Sequence, residues 1–266
     1  MKYFIPDNLK EAEKLHKQQG KRNIYFAGGT ILNWKKSPKA DGLIDLKNLS
    51  LDKITVTGSK IKIGAMASIQ DIADSKVLPA AIVKAAKSFN SRNIRNMATA
   101  GGAAIEKFHI SDMVPVFLAY NSDIEYFHNG ALKIAPLTRW LVNKSGLICS
   151  IIITGTGRTV KVIRESLSAI DFPLIVTSIG MELKNGVIKN PVVAVSGAAT
   201  STKASVSANK YLQGKNIKNI DVDLLNIMVQ KDIGPVKNLK ASVLVKRRFI
   251  QSHIGKIAAE LKKGGN

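Results

Sequence analysis

The chain has 266 residues, 45% apolar and 22% charged, the composition of a soluble globular protein with room for one large core or two to three smaller ones. Its net charge of +21 points to an acidic partner or nucleic acid, but the lysines are spread along the chain and aromatic residues make up only 6%, too few stacking platforms to favour nucleic acid, so a lysine-rich solvated surface is the first reading. One cysteine, Cys149, excludes an internal disulfide and a cysteine-ligated iron–sulfur or zinc centre, and four scattered histidines show no metal-ligand spacing.

The first residues lack the apolar core of a signal peptide and no apolar run is long enough to cross a bilayer, so a cytoplasmic protein is expected. Residues 6–20 predict an amphipathic helix with Leu9, Ala12 and Leu15 on one face, capped by Asp7 or Asn8 and ended by Gly20. It feeds a strand over 23–26, which runs into Ala27-Gly28-Gly29-Thr30 and a helix starting around Ile31. A strand, a glycine turn and a helix start can together present amides to a phosphate. The strand GLIDL, 42–46, completes a first lobe ending near residue 52.

From Lys53 the apolar period changes to two: Ile54 and Val56, then Ile61 and Ile63, predict a hairpin about Gly58-Ser59. Ser68 caps a helix over 69–73, and an alanine-rich helix follows at 79–88. The stretch RNIRNMATAGGAAIEKFHISDMVPVFLAY then passes from a basic segment into Thr99-Ala100-Gly101-Gly102, read as a second tight glycine turn with amides exposed as an anion nest. A polar segment ends in Ser111-Asp112 and an apolar helical run follows. Asn129-Gly130 predicts a hairpin of strands 123–127 and 131–135. An apolar string to Ile153 holds Cys149 as a buried small hydrophobe, and 154–157 is a linker.

The third region carries a strand at 161–166, a buried helix or strand at 172–179, and a second hairpin about Asn185-Gly186 continued by 191–196. Helices follow at 205–212 and 239–261. The pattern is α+β with a large antiparallel share. No GxGxxG follows a first strand, no Walker motif occurs, and no nucleophile, base and acid are set together. The chemistry is therefore expected to reside in a cofactor that the chain positions.

AGGTIL and IRNMATAGGAAIEKFHISDMVPVFLAY together resemble the two FAD-contacting segments of the FAD-binding medium subunits of molybdenum hydroxylases, such as bacterial xanthine, carbon monoxide and nicotinate dehydrogenases. That pattern reads AGGTDL, then IRN-x-AT-x-GGN, then an Asp often preceded by Ser, then P-x-LLAL, and the likeness extends over nearly the whole chain. It implies a two-lobed FAD-binding domain of the vanillyl-alcohol oxidase (PCMH) type over 1–157, with lobes of about 1–52 and 53–157. A C-terminal α+β domain of the carbon monoxide dehydrogenase flavoprotein type would follow over 158–266.

By the same resemblance Ala27, Gly28, Gly29, Thr30 and Ile31 wrap the FAD diphosphate, and Phe89, Thr99, Gly101, Gly102, Ala103, Ser111, Asp112 and Ile148 line the remainder. Asp112 accepts from a ribose or the flavin ring, and Lys161 lies near the flavin. The implied role is electron transfer: a molybdenum-cofactor subunit oxidises substrate, a 2Fe–2S subunit relays electrons, and FAD on this chain passes them to NAD or another acceptor. No membrane is involved, and the single cysteine places the clusters on other chains. Ile31 replaces the usual Asp, Ala103 the usual Asn, His109 a Pro and Leu147 an acidic residue, while Val245-Lys246 replaces Tyr-Arg. The first two remove side-chain bonds of about 1 kcal/mol each, so weaker FAD binding is implied, or a scaffold that has lost the cofactor.

Overall fold

The computed structural model describes residues 1–32, 40–105 and 110–263. Numbered along the chain, the elements begin with β1 (Lys2–Phe4), α1 (Leu9–His16), β2 (Asn23–Phe26) and β3 (Gly42–Asp45). A hairpin of β4 (Ile54–Thr57) and β5 (Lys60–Gly64) precedes five short helices, α2 (Ile69–Asp74), α3 (Ala80–Lys87), α4 (Arg92–Met97), α5 (Ala100–Ile105) and α6 (Val114–Ala119). Then come β6 (Asp123–His128), β7 (Ala131–Pro136), α7 (Leu137–Asn143) and β8 (Leu147–Ile153). The last part is β9 (Thr159–Ser166), β10 (Pro173–Lys184), β11 (Val187–Ser196), β12 (Lys203–Ala204), α8 (Val206–Leu212), α9 (Val222–Ile233) and α10 (Val243–Lys263).

Two compact units share these elements. The first is Met1–Leu78, Ser91–Ile105 and Ser122–Thr154; the second is Pro79–Asn90, Glu106–Asn121 and Gly155–Asn266. In the first unit β1, β3 and β2 form a parallel sheet in that order, and β4-β5-β8-β6-β7 form an antiparallel one. The parallel strands are joined through α1, whose Asn8 side chain accepts from Glu11 N and so settles the choice of cap. Ala12, Ile44, Leu46, Phe127, Leu147 and Cys149 form one buried cluster of this unit. Cys149 is 2% exposed, and burial pushes its thiol up to about 11, which suits packing rather than reactivity. Glu13 accepts from the amides of Asn129 (2.7 Å) and Gly130 (2.9 Å) and pairs with Lys17, tying α1 to the β6–β7 turn. Both turn residues are left-handed, φ 54° and 75°, as a two-residue Asn-Gly hairpin demands.

The second unit is built on the antiparallel sheet β12-β11-β10-β9. Residues 172–179, which the sequence leaves open between helix and strand, fall almost wholly in β10; paired on both sides and buried from Pro173 to Met181, this strand has no alternation to read. One face packs against α8, α9 and α10 through Ile175, Ile179, Val193, Val195, Val229, Ile250 and Ile254. The other receives α6, every residue of which is buried. Gly180 permits this approach, since a Cβ there would stand 2.0 Å from the Ala119 carbonyl oxygen. Arg158, 7% exposed, fixes the end of α6 by donating to Ala119 O (2.9 Å), to Glu182 (3.2 Å) and to Asn190 O (2.5 Å).

Candidate functional site

In the first unit β2 runs directly into the first glycine pair. A Cβ on Gly28 would lie 1.6 Å from the carbonyl oxygen of Met97, the last residue of α4, so only glycine lets these two backbones meet. Gly29 takes the left-handed conformation, φ 66°, over the ring of Phe26. Ala27 packs on the cluster around Ile44. Among the described residues the amides of Gly28, Gly29, Thr30 and Ile31 meet no hydrogen-bond acceptor. Thr30, Ile31 and Leu32 are in a turn; the rest of the expected helix lies outside the described residues, as does His109.

The second glycine pair departs from expectation. Gly101 and Gly102 are not a tight turn but the first turn of α5. Ser91 caps α4 by accepting from Ile94 N; Ala98 is extended, and Thr99 bridges antiparallel to Ser68. Ala100 N donates to Ala67 O (2.9 Å), Gly101 N to Ala65 O (2.8 Å), Gly102 N to Thr99 Oγ1 (3.2 Å) and Ala103 N to Thr99 O (2.9 Å). The expected nest is therefore closed by the protein's own acceptors. The physical reason is packing: a Cβ on Gly101 would stand 2.9 Å from the Ala65 Cβ, so glycine lets α5 lie on the segment after β5. β8 lies beside α5 and carries Ile148, which is 5% exposed. Through Gly28 and Met97 the two motifs, 67 residues apart as the chain runs from Thr30 to Met97, come together.

Phe89, Ser111, Asp112 and Lys161 belong to the second unit. Phe89 follows α3, its amide donating to Ala86 O. Ser111 stands just before α6, its hydroxyl accepting from Met113 N (3.2 Å) and Val114 N (3.1 Å) while its own amide donates to Ser196 Oγ (2.8 Å). Asp112, 6% exposed, accepts from Arg164 Nε at 2.6 Å. Burial pushes its carboxyl up to about 6 against the pull of that guanidinium. Arg164 also donates to Ser166 Oγ and Asp171 O. Lys161 on β9 is paired with Glu260 of α10 at 3.2 Å, both half-exposed, an arrangement of small energetic weight.

The sequence model of the family described as FAD binding domain in molybdopterin dehydrogenase matches residues 1–154, more than half of the chain. The chain belongs to that family. FAD is accordingly its cofactor, and it is an oxidoreductase subunit of the molybdenum hydroxylase group. Among curated relatives of this FAD-binding protein, YgfM of Escherichia coli K12, a protein described as uncharacterized, is 25% identical over 264 residues, spanning 99% of this chain and 97% of the relative. The nicotinate dehydrogenase FAD-subunit of Eubacterium barkeri is 34% identical over 111 residues, 38% of this chain and 36% of that protein. A carbon monoxide dehydrogenase chain from Hydrogenophaga pseudoflava superposes with a TM-score of 0.89 at 19% identity, covering 100% of this chain and 98% of that one. A chain of quinoline 2-oxidoreductase from Pseudomonas putida 86 gives 0.84 at 15%, with the same coverage. At these identities the structural likeness establishes the fold alone.

The donor set at 28–31 fits the diphosphate of FAD: consecutive amides without acceptors among the described residues, on a backbone that carries no Cβ at two positions. Sequence reasoning missed the groups that hold several of the residues it singled out. Arg164, 52 residues from Asp112, gives no local signal. The carbonyls of Ala65 and Ala67 are backbone acceptors and carry no side-chain signature.

Proposed function

We propose that this chain is the FAD-binding electron-transfer subunit of a molybdenum-containing hydroxylase, xanthine dehydrogenase-like in plan, working in the cytoplasm with a molybdenum-cofactor subunit and a 2Fe–2S subunit as separate chains. Electrons arriving from the 2Fe–2S subunit leave through FAD to NAD or another acceptor. The observation that carries this reading is the turn after β2, where the amides of Gly28 to Ile31 stand without acceptors of the protein's own among the described residues. Residues 1–157 are the FAD-binding domain in this proposal, in two lobes, and 158–266 the C-terminal domain.

Bound FAD would supply the redox chemistry; the chain's residues bind and orient it. Amides at 28–31 hold the diphosphate, with the Thr30 hydroxyl beside them and Ala27 setting the backbone's entry. Thr99, Gly101, Gly102, Ala103 and Ile148 act as wall rather than as donors, because the amides of 101 to 103 are already bonded and Ile148 is buried. For Phe89, Ser111, Asp112 and Lys161, residues of the second unit, contact with FAD is proposed on the resemblance alone. There Ser111 and Arg164 hold Asp112 in place.

A second reading, a scaffold subunit without cofactor, is favoured by one observation: of the two amide sets the resemblance assigns to FAD, the one at 100–103 is closed. The visible absorption spectrum of the purified chain, taken after incubation with FAD and desalting, separates the two. Retained bands of oxidised flavin are expected; a flat spectrum after reconstitution selects the scaffold.

A further inference from the structure

Two loops and one helix start of the second unit carry exposed apolar side chains that neither the FAD site nor the core accounts for. Between β9 and β10, Leu167 is 69% exposed and Ile170 is 61% exposed. Between α9 and α10, Leu239 is fully exposed, and Leu244 in the first turn of α10 is 58% exposed. An ion pair joins the two loops: Lys240 Nζ lies 2.7 Å from Asp171 Oδ1 and 5.7 Å from the centre of the Phe172 ring. Leu239 and Ile170 are the chain neighbours of the two partners in that pair, so their backbone positions lie near one another. Both loops are fixed by their own hydrogen bonds. Asn238 Oδ1 accepts from the amides of Lys240 (3.1 Å) and Ala241 (3.0 Å), and Arg164 donates to the carbonyl of Asp171. Apolar side chains held outward on ordered loops are a surface prepared for contact, since little ordering entropy is left to lose.

Basic side chains border this face. Lys237, Arg247 and Arg248 are exposed beside it, and Gln230 Nε2 donates to Arg247 O, which brings α9 against the same turn of α10. The nearby acids are engaged: Asp171 with Lys240, and Asp232 with Ser205 and the amide and hydroxyl of Ser207. An apolar centre of leucine and isoleucine with a basic border fits a protein surface that offers small apolar side chains inside an acidic border. A membrane surface fits less well, because no aromatic side chain is exposed on this face to anchor in the interface.

We infer that the face formed by residues 167–172, residues 234–242 and the first turn of α10 is the docking surface for an acidic partner chain, and that this use accounts for part of the protein's positive charge. The inference deepens the proposed function, since it rests on the chain working beside separate subunits. The test is co-expression of the full chain with the molybdenum-cofactor and 2Fe–2S subunits of the same organism, followed by affinity purification through a tag on this chain. Ile170→Glu with Leu239→Glu should lower the recovery of one of the two subunits at least tenfold, with FAD content and thermal midpoint unchanged. Arg247→Glu with Arg248→Glu should lower it as well, more strongly at low salt. Leu132→Glu, at an exposed apolar position of β7 in the other unit, should leave it as it was.

Wild-type recovery with both double variants would overturn the inference and leave the proposed function standing. Failure of the unaltered chain to recover either subunit would overturn both. Sedimentation of the unaltered chain with phosphatidylglycerol vesicles, abolished by the leucine variant while subunit recovery is not, would transfer the face to a membrane and overturn the protein partner.

Discussion

Gly28-Gly29 and Gly101-Gly102 are the same dipeptide, brought together in one unit by the contact between Gly28 and the Met97 carbonyl, and they differ in what the missing side chains allow. At the first pair the backbone leaves a strand with amides that find no acceptor among the described residues. At the second pair every amide from Ala100 to Ala103 is bonded, and the absent Cβ of Gly101 lets a helix settle on Ala65. A glycine pair in a sequence thus records only that something comes close. Whether it is a ligand or another stretch of backbone depends on acceptors contributed from elsewhere in the chain.

The contrast can be broken most forcefully at Gly28. Gly28→Ala should cost more than about 4 kcal/mol, because its Cβ would overlap a carbonyl oxygen that cannot move without dislodging α4; a thermal melt near that of the unaltered protein would show that the contact with Met97 is not maintained. A perturbation confined to the second unit provides the comparison. His253 is 1% exposed, with Nδ1 3.1 Å from Thr177 Oγ1, Nε2 3.8 Å from Glu165 and Lys256 repelling a proton, and burial lowers its pKa to about 4. The unfolded chain takes up that proton near 6.5, so it binds more protons than the folded one between these values. Stability should be full above about pH 6.5 and fall by roughly 3 kcal/mol as the pH drops to 4, with the drop reduced in His253→Leu.

Gly101→Ala is expected to cost about 2 kcal/mol through overpacking against Ala65, without lowering FAD affinity beyond what the loss of stability explains. Thr99→Ala removes the hydroxyl that accepts from Gly102 N and should cost about 1 kcal/mol in urea unfolding. Gly102→Ala should change stability by no more than about 1 kcal/mol: its Cβ comes 3.1 Å from Thr99 Oγ1, while alanine favours the helix. If Gly102→Ala instead abolished FAD uptake at unchanged stability, the second pair would be a ligand contact after all and the contrast would collapse.

Local signals carried much of the fold. Ser68 is the cap of α2, with a complete capping box to Asp71, and the three hairpin turns lie where Gly58-Ser59, Asn129-Gly130 and Asn185-Gly186 place them. One element differs from the sequence reading because distant partners decide it. α5 contains two poor helix formers and is stabilised by the carbonyls of Ala65 and Ala67. α9 was overlooked although Asp221 caps it, Leu225, Val229 and Ile233 repeat on one face and Gly234 ends it with φ 61°. Of the residues singled out, those of the first glycine turn were legible because strand and turn are adjacent in sequence. The pairing of Asp112 with Arg164 was not, because no pattern within one element implies it.

The division into units has a consequence for synthesis. The chain passes from one unit to the other after Leu78, Asn90, Ile105, Asn121 and Thr154, so neither unit is a continuous piece of polypeptide. During translation the first unit lacks its central strand β8 until about 150 residues have emerged, and by then α6, with every residue destined for burial, has waited without the sheet that covers it. A ribosome-bound chain of that length is an apolar helix in search of strands not yet made, the condition in which chaperones engage nascent proteins. A truncation after residue 154 would make that waiting state permanent.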